Sequence, residues 1–329
     1  MPIDKVNSLK DRIFNLSGTQ EFNDLALEIF RFQSISNPVY LRFLEELNRP
    51  LPSKWEEIPC LPISAFKHHQ VRSNVDEVQI EFKSSGTSGS SDSTHYVSDI
   101  TLYERSFRLG FEKFYGDIEE YCILGLLPSY LERKDSSLIY MVKDFIDRSG
   151  SEKSGFYLNE HEALRSTLQD LQIQGKKTIL IGVTFALLDF VEEHSLSFPE
   201  LIIMETGGMK GRRKEIIRED VHKRLRKGFG VQHVHSEYGM TELMSQAYSK
   251  GQGLFTCPPW MKATVRDIHD PLALLPDGRP GGLNIIDLAN IDSCSFIATD
   301  DLGRFSPEEG FEVLGRFDHS DVRGCSLMV

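Results

Sequence analysis

Between residues 121 and 234, short unbroken apolar runs alternate with longer stretches of helical period. Residues 121–127, 178–183, 201–204 and 231–234 read as strands, and residues 138–146, 160–171, 185–191 and 214–227 as helices. A strand that is apolar at every position is buried on both faces, and helices lying between such strands in sequence cover those faces. The alternation therefore predicts an α/β fold built on an open, mainly parallel sheet. In the last of these helices Ile217, Val221 and Leu225 mark the expected buried stripe, and the dense basic residues around it read as a solvated face or as a dock for an acidic partner.

The flanks follow other periods. Phe22, Leu25, Ala26, Ile29 and Phe30 fall on one face of a helix, and a second helix carrying Tyr40, Leu41, Leu44 and Leu47 is expected after Pro38. Pro50, Pro52, Pro59 and Pro62 predict an extended connector running over that helical start. Val78, Ile80 and Phe82 alternate with Gln79 and Glu81 as a strand, and residues 84–93 are then all Ser, Gly, Thr or Asp. Beyond Gly253, short strands at 262–268, 283–288, 295–299 and 311–314 predict a smaller β-rich part. The expected division is a helical segment at 1–75, an α/β core at 76–250, a β-rich subdomain at 251–315 and a tail at 316–329.

Charge and cysteine content narrow the function. With 37 Lys and Arg against 49 Asp and Glu, the net charge of −12 argues against a nucleic-acid or anionic-membrane binder, so any anion must be held locally. The most apolar stretch, 178–191, is interrupted by Asp189 and too short to span a bilayer, and the start lacks the layout of a signal peptide. A soluble cytoplasmic protein is expected. Cys60, Cys122, Cys257, Cys294 and Cys325 are odd in number and form no Cys-x-x-Cys pair, which fits neither a disulfide framework nor a zinc site. Four of them read as small core residues, whereas Cys325 lies five residues from the end between Gly324 and Ser326.

Three polar segments could carry chemistry. Ser84-Ser85-Gly86-Thr87-Ser88-Gly89-Ser90 follows a strand and can offer hydroxyls and closely approaching backbone N–H groups to phosphate, although a flexible linker has the same composition. Ser236-Glu237-Tyr238-Gly239-Met240-Thr241-Glu242 is expected directly after a strand; its hydroxyl could bond phosphate and its last carboxylate Mg2+, or Thr241 could simply cap a helix. Thr299-Asp300-Asp301-Leu302-Gly303-Arg304 places two acids at a strand end, where a carboxylate can accept both ribose hydroxyls; alone it is an ordinary turn.

Taken together, Ser-Ser-Gly-Thr-Ser-Gly, then Tyr-Gly-Met-Thr-Glu about 150 residues on, then Thr-Asp-Asp-Leu-Gly-Arg, then Gly315-Arg316-x-Asp318 resemble the adenylate-forming enzymes in motif, order and spacing. The phrases Leu61-Pro62-Ile63-Ser64-x-Phe66-Lys67, Leu127-Pro128-Ser129-Tyr130-Leu131-Glu132-Arg133 and Glu205-Thr206-Gly207-Gly208-Met209-Lys210-Gly211 resemble the bacterial acyl-protein synthetases of the LuxE type, which are akin to phenylacetate–CoA ligases. The resemblance implies ATP-dependent activation of a fatty or other carboxylic acid to an acyl-AMP, then acyl transfer to a thiol. It implies that Ser84, Ser85, Gly86, Thr87, Ser88, Gly89 and Ser90 cradle the β- and γ-phosphates, that Thr241 bonds the α-phosphate and that Glu242 binds Mg2+. It further implies that Tyr238 stacks near the adenine with Gly207 and Gly208 lining its pocket, that Gly239 belongs to the nucleotide site, and that Asp301 with Arg316 holds the ribose.

Adenylate-forming enzymes continue past the Gly-Arg-x-Asp hinge into a lid domain that brings a lysine to the reaction; this sequence runs eleven residues beyond Asp318, so a fold without that lid is expected. Lys210 is the first candidate to offset the α-phosphate charge, with Arg133 and Lys134 behind it, though Lys210 also reads as a solvated loop cation. The family's acyl-accepting cysteine near the C-terminus matches Cys325, and a thiol on a tethered, Gly-flanked tail can reach a bound acyl-AMP intramolecularly. A stray thiol on a frayed end is the plain alternative. An acyl-accepting or acyl-donating partner protein is implied. Two other readings stay open: an acid–CoA ligase-like enzyme that borrows its lid from another chain, and a catalytically silent AMP-binding partner protein. His233 and His235, read on one strand, would face the same way and could chelate a metal with Glu237 or line the nucleotide site.

Overall fold

A computed structural model describes residues 3–73, 77–84, 92–128, 135–207, 216–306 and 310–317. Three helices open the chain: α1 (Ile3–Ile13), α2 (Thr19–Ser36) and α3 (Pro38–Leu47). All five of the expected apolar positions of α2 are buried, together with Leu27, Phe32 and Gln33. Asn37 starts α3 by accepting the Val39 and Tyr40 N–H groups, with Pro38 at the first helical position where its missing N–H costs nothing. Within α3 only Tyr40 is fully buried. Its hydroxyl donates to the Pro59 carbonyl at 2.6 Å.

The proline-rich stretch that follows does more than run over the surface. Its end, β1 (Leu61–Pro62), joins a sheet 236 residues further on, pairing Leu61 with Ile297 in parallel, where Pro62 can sit because β1 is an added edge. Next come the short helix α4 (Ala65–His68) and the antiparallel pair of β2 (Ile80–Lys83) and β3 (Thr94–Val97), which flank the Ser/Gly-rich segment in sequence.

The α/β core comprises α5 (Ile100–Tyr115), β4 (Cys122–Leu126), α6 (Ser137–Arg148), β5 (Gly155–Phe156), α7 (His161–Ile173), β6 (Thr178–Gly182), α8 (Thr184–Glu193), β7 (Ile202–Glu205), α9 (Arg218–Phe229), β8 (His235–Tyr238) and β9 (Ala247–Ser249). The sheet order is β5-β4-β6-β7-β8-β9, parallel except for β9. The period-two alternation of strand side chains splits the core into two layers. Cys122, Leu124, Leu126, Leu180 and Ile203 pack under α7, α8 and α9, whereas Ile123, Ile179, Ile181 and Met204 pack under α5 and α6. A Cβ at Gly228 would lie 2.4 Å from the Val191 Cβ, so α8 and α9 approach closely only because that position lacks a side chain.

The second sheet holds β10 (Leu254–Phe255), β11 (Met261–Arg266), β12 (Pro280–Asp287), β13 (Phe296–Ser306) and β14 (Gly310–Arg316) in the order β10-β14-β13-β12-β11, all antiparallel. Parallel pairing is thus a property of the first sheet and of the β1 graft, not of the strands as a whole. Among the described residues no helix is long and apolar enough to cross a membrane.

Three expectations are corrected. Residues 231–234 are not a strand: left-handed Gly230 (φ +69°) ends α9, Val231 and Val234 are buried in the helical layer, and the strand begins at His235. The stripe of α9 is Val221, His222, Leu225 and Phe229, with Ile217 ahead of the helix and 67% exposed. Asp300 and Asp301 lie within β13 rather than at a strand end, because the antiparallel partners β12 and β14 extend it to Ser306.

Candidate active site

Strand β8 delivers Tyr238 and Gly239 to the edge of the core, and the backbone beyond is tied down by side chains from elsewhere. His95 on β3 places Nδ1 2.9 Å from the Thr241 carbonyl, and Asn290 donates to the Glu242 carbonyl at 2.7 Å. Asp287 at the end of β12 accepts the Met244 and Ser245 N–H groups at 2.8 and 2.9 Å and the Ser245 hydroxyl at 2.6 Å. With the backbone held this way, the Thr241 and Glu242 side chains are left for other partners. Burial pushes the His95 ring down to about 4, so at neutral pH it is the uncharged tautomer whose Nδ1–H donates to Thr241. His95, Asn290 and Asp287 were absent from the sequence reading; the one local signal was a histidine in the strand directly after the Ser/Gly loop.

Glu242 is 6% exposed. Burial raises its carboxyl above the ordinary range, opposed by the Ser93 hydroxyl and by the charges of Arg316 and Lys67. Ser93 also closes the neck of the Ser/Gly loop: Ser84 N–H donates to the Ser93 carbonyl and Ser93 N–H to the Ser84 hydroxyl, each at 2.9 Å. Ser93 at the loop's base thus lies near Glu242, with its hydroxyl buried and without a formed hydrogen bond among the described residues. The candidates Ser85, Gly86, Thr87, Ser88, Gly89 and Ser90 lie outside the described residues, as do Gly208, Lys210, Arg133, Lys134 and Cys325.

Asp301 stands across from Arg316 in the β13–β14 ladder. Its carboxylate accepts the Tyr238 hydroxyl at 2.8 Å on one oxygen and Arg316 Nε at 3.1 Å on the other. The Arg316 side chain is 64% exposed. The Tyr238 ring packs edge-on to Phe311 at 5.2 Å and against Phe255 at 5.7 Å and is 7% exposed, so Tyr238 lies beneath the carboxylate as its support. Below them buried Arg266 donates to the carbonyls of Leu283 and Thr299, which joins β11, β12 and β13 under the acid.

Gly207 follows β7 with φ +76°, and open space surrounds the position a Cβ would take. The turn is held by Glu205, which accepts the Gly207 N–H at 2.8 Å and the Thr184 hydroxyl. Burial works against the Glu205 charge, yet His222, Thr184 and Arg218 hold its pKa below the ordinary value. An acid closing an apolar strand just before Gly-Gly was the signal for it in the sequence. At Gly239 a Cβ would sit 2.4 Å from Glu237 Oε1, so a larger residue there would displace the end of the Glu237 side chain.

His233 and His235 do not share a strand face. His233 precedes β8 and is exposed, while His235 meets the Tyr115 hydroxyl at 3.2 Å and is pushed by burial to about 4. Among the described residues a grouping of metal-type donors occurs elsewhere, at His161, Glu193 and His194, where a His161–Glu193 hydrogen bond of 2.8 Å accounts for the proximity. Of the cysteines, Cys122 and Cys294 are buried and Cys60 and Cys257 partly so. Burial pushes the thiols of Cys60, Cys257 and Cys294 up to about 12, far from a reactive thiolate at neutral pH.

Known proteins similar to the chain include one family, one curated relative and two solved structures. The family described as acyl-protein synthetase, LuxE, matches residues 22–329. The long-chain-fatty-acid–luciferin-component ligase of Vibrio harveyi is 23% identical over 332 residues, which cover 91% of this chain and 84% of that protein. Among solved structures, ATP-bound MatB from Rhodopseudomonas palustris is similar with a TM-score of 0.56 and 17% identity over 74% of this chain, which spans 49% of MatB. An open conformation of 2-hydroxyisobutyryl-CoA ligase with 2-HIB-AMP and CoA is similar with a TM-score of 0.66 and 12% identity, over 91% of this chain and 76% of that one. At these identities the solved structures show a shared fold.

Proposed function

The chain belongs to the LuxE family of acyl-protein synthetases, and from that premise we propose that it activates a carboxylic acid with ATP and carries the acyl group as a thioester on Cys325 for delivery to a partner protein. A carboxylate oxygen attacks the α-phosphorus, the bond to the bridging oxygen breaks and pyrophosphate leaves. The Cys325 thiolate then attacks the acyl carbonyl and AMP leaves. The name of the Vibrio harveyi relative favours a fatty acid.

The observation that carries this reading is the convergence of Thr241 and Glu242, the neck of the Ser84 loop, and the Asp301–Arg316 pair around one strand end. The loop residues Ser84 to Ser90 take the β- and γ-phosphates and Thr241 the α-phosphate. Asp301, fixed by Tyr238, accepts the ribose hydroxyls while Arg316 holds its far oxygen. Gly207, Gly208 and Gly239 keep the nucleotide pocket open, and Lys210 offsets phosphate charge. Glu242 suits Mg2+, because its buried carboxyl has no ion pair among the described residues and burial alone disfavours its charge. Bound there, the ion neutralises phosphate charge. That three of the other cysteines are held as neutral thiols favours Cys325 as the acceptor.

Acid-dependent exchange of labelled pyrophosphate into ATP tests the first step. Glu242→Gln is expected to lower it on the order of 10²-fold or more. Cys325→Ala is expected to retain exchange and lose the hydroxylamine-sensitive acyl label that the parent carries after denaturation. Undiminished label on Cys325→Ala would refute the acceptor, and acylation of free CoA without labelled protein would favour an acid–CoA ligase.

A further inference from the structure

Three polar side chains next to the proposed site have no part in the nucleotide chemistry. Along β8 the side chains alternate: Ser236 and Tyr238 face Glu205 and Asp301, whereas His235 and Glu237 face the α5 side of the sheet. On that side Tyr248 of β9 stands directly opposite Glu237. The position a Cβ would take on Gly239 lies 2.4 Å from Glu237 Oε1 and 3.4 Å from Gln246 Cγ, so both side chains flank the glycine two residues before Thr241.

None of the three is satisfied. The Tyr248 hydroxyl and Gln246 Oε1 are buried without a hydrogen-bond partner, in residues 1% and 6% exposed. Glu237, partly exposed, makes no hydrogen bond or ion pair among the described residues. Burial and the negative charge of Glu205 push its carboxyl up to about 8, so at neutral pH it is an O–H donor as well as an acceptor. Orphaned buried polar groups destabilise a fold unless something outside the chain meets them, and two of them, flanking the partly exposed Glu237 at the reacting strand end, call for a ligand group. A plain hydrocarbon chain threading past them would leave all three unmet.

We propose that Glu237, Gln246 and Tyr248 form a polar subsite for a hydrogen-bonding substituent on the acid, so that the substrate is a hydroxy- or amino-substituted carboxylic acid. This rests on the adenylation reading above. A hydroxyl substituent donates its one hydrogen to Gln246 Oε1 and accepts from the Tyr248 hydroxyl or from Glu237, whereas an ammonium donates to Gln246 Oε1, to the Tyr248 oxygen and to Glu237. On the opposite face of β8 Tyr238 supports Asp301, so acid and nucleotide are selected on the two sides of a single strand.

The test is pyrophosphate exchange with matched series of straight-chain acids, each unsubstituted, hydroxylated or aminated at the α or β carbon. Substituted acids are expected to exceed their plain counterparts in kcat/KM by at least about tenfold, because a site with unmet hydrogen-bonding groups rejects an analogue that lacks them. The hydroxy and amino arms tell which group is read. Tyr248→Phe and Gln246→Met are expected to collapse that ratio by speeding the plain acids relative to the substituted ones, with Tm unchanged or raised because each removes an unpartnered polar group. A smaller preference in the parent, or variants that slow both kinds of acid equally, would overturn the subsite. Exchange with plain acids alone overturns the subsite and leaves adenylation standing, whereas exchange with no acid removes both.

Discussion

At neutral pH the Glu237 side chain is a carboxylic acid rather than a carboxylate, and that has a measurable sign. Its folded pKa of about 8 lies above the ordinary 4.5, so the folded protein keeps a proton that the unfolded chain releases. Its contribution is therefore fully present below the unfolded value and is lost as pH rises through the folded one. Asp287, raised by burial to about 6, has the same sign at lower pH, while His95 and His235, lowered by burial to about 4, have the opposite sign up to their ordinary 6.5. In the window from about 6.5 to 8 Glu237 therefore contributes a fall with pH, and Glu242, also raised by burial, has the same sign. Urea melts across it are expected to show parent stability falling with pH and Glu237→Gln falling less steeply; parallel slopes would remove Glu237 as a titrating group. At this scale the sequence showed which residues could do chemistry, such as Thr241, Glu242 and Asp301, but not their state. Burial sets that state, and a motif carries no record of what is packed around it.

The loop after β8 shows how an element outside a motif positions it. Residues 241–245 have no regular partner strand, and their backbone groups are met by His95, Asn290 and Asp287. His95→Ala is expected to weaken exchange about tenfold with circular dichroism unchanged, since one buried hydrogen bond worth ~1.5 kcal/mol is lost from the loop that carries Thr241. His95→Asn, whose amide can donate from nearly the same point, is expected to recover part of it. Equal losses in the two variants would mean that the ring does not act through the Thr241 carbonyl. Element order in the α/β core was legible because unbroken apolar strands and helices of 3.6-residue period are written in contiguous residues. Limits were less so. Residues 231–234 are as apolar as a strand, yet Gly230 turns them into the helical layer, and β13 runs on past Asp301 because its neighbours extend it.

The N-terminal helices belong to the same apolar cluster as α5, α6 and the second sheet. Their tie is Gln33, a buried polar residue of α2, which donates to the carbonyls of Asn290 and Ile291 at 3.0 and 2.9 Å and accepts the Ser295 N–H at 3.0 Å. Gln33→Leu leaves those backbone groups unmet and is expected to cost roughly 2–4 kcal/mol, read as a lower urea midpoint. Because Asn290 holds the Glu242 carbonyl, exchange is expected to fall as well. An unchanged midpoint would show that the helices dock by apolar contact alone. The sequence by itself determined the α/β class, the alternation of the main strands and helices between residues 121 and 229, the family and the polar motifs, since each depends on residues close together in the chain. Tertiary structure alone decided that β1 joins β13, that Tyr238 supports Asp301, that His95 and Asn290 hold Thr241 and Glu242, and that Glu237, Gln246 and Tyr248 are left unmet. Those pairings link residues far apart or depend on burial, and neither leaves a periodic or local trace.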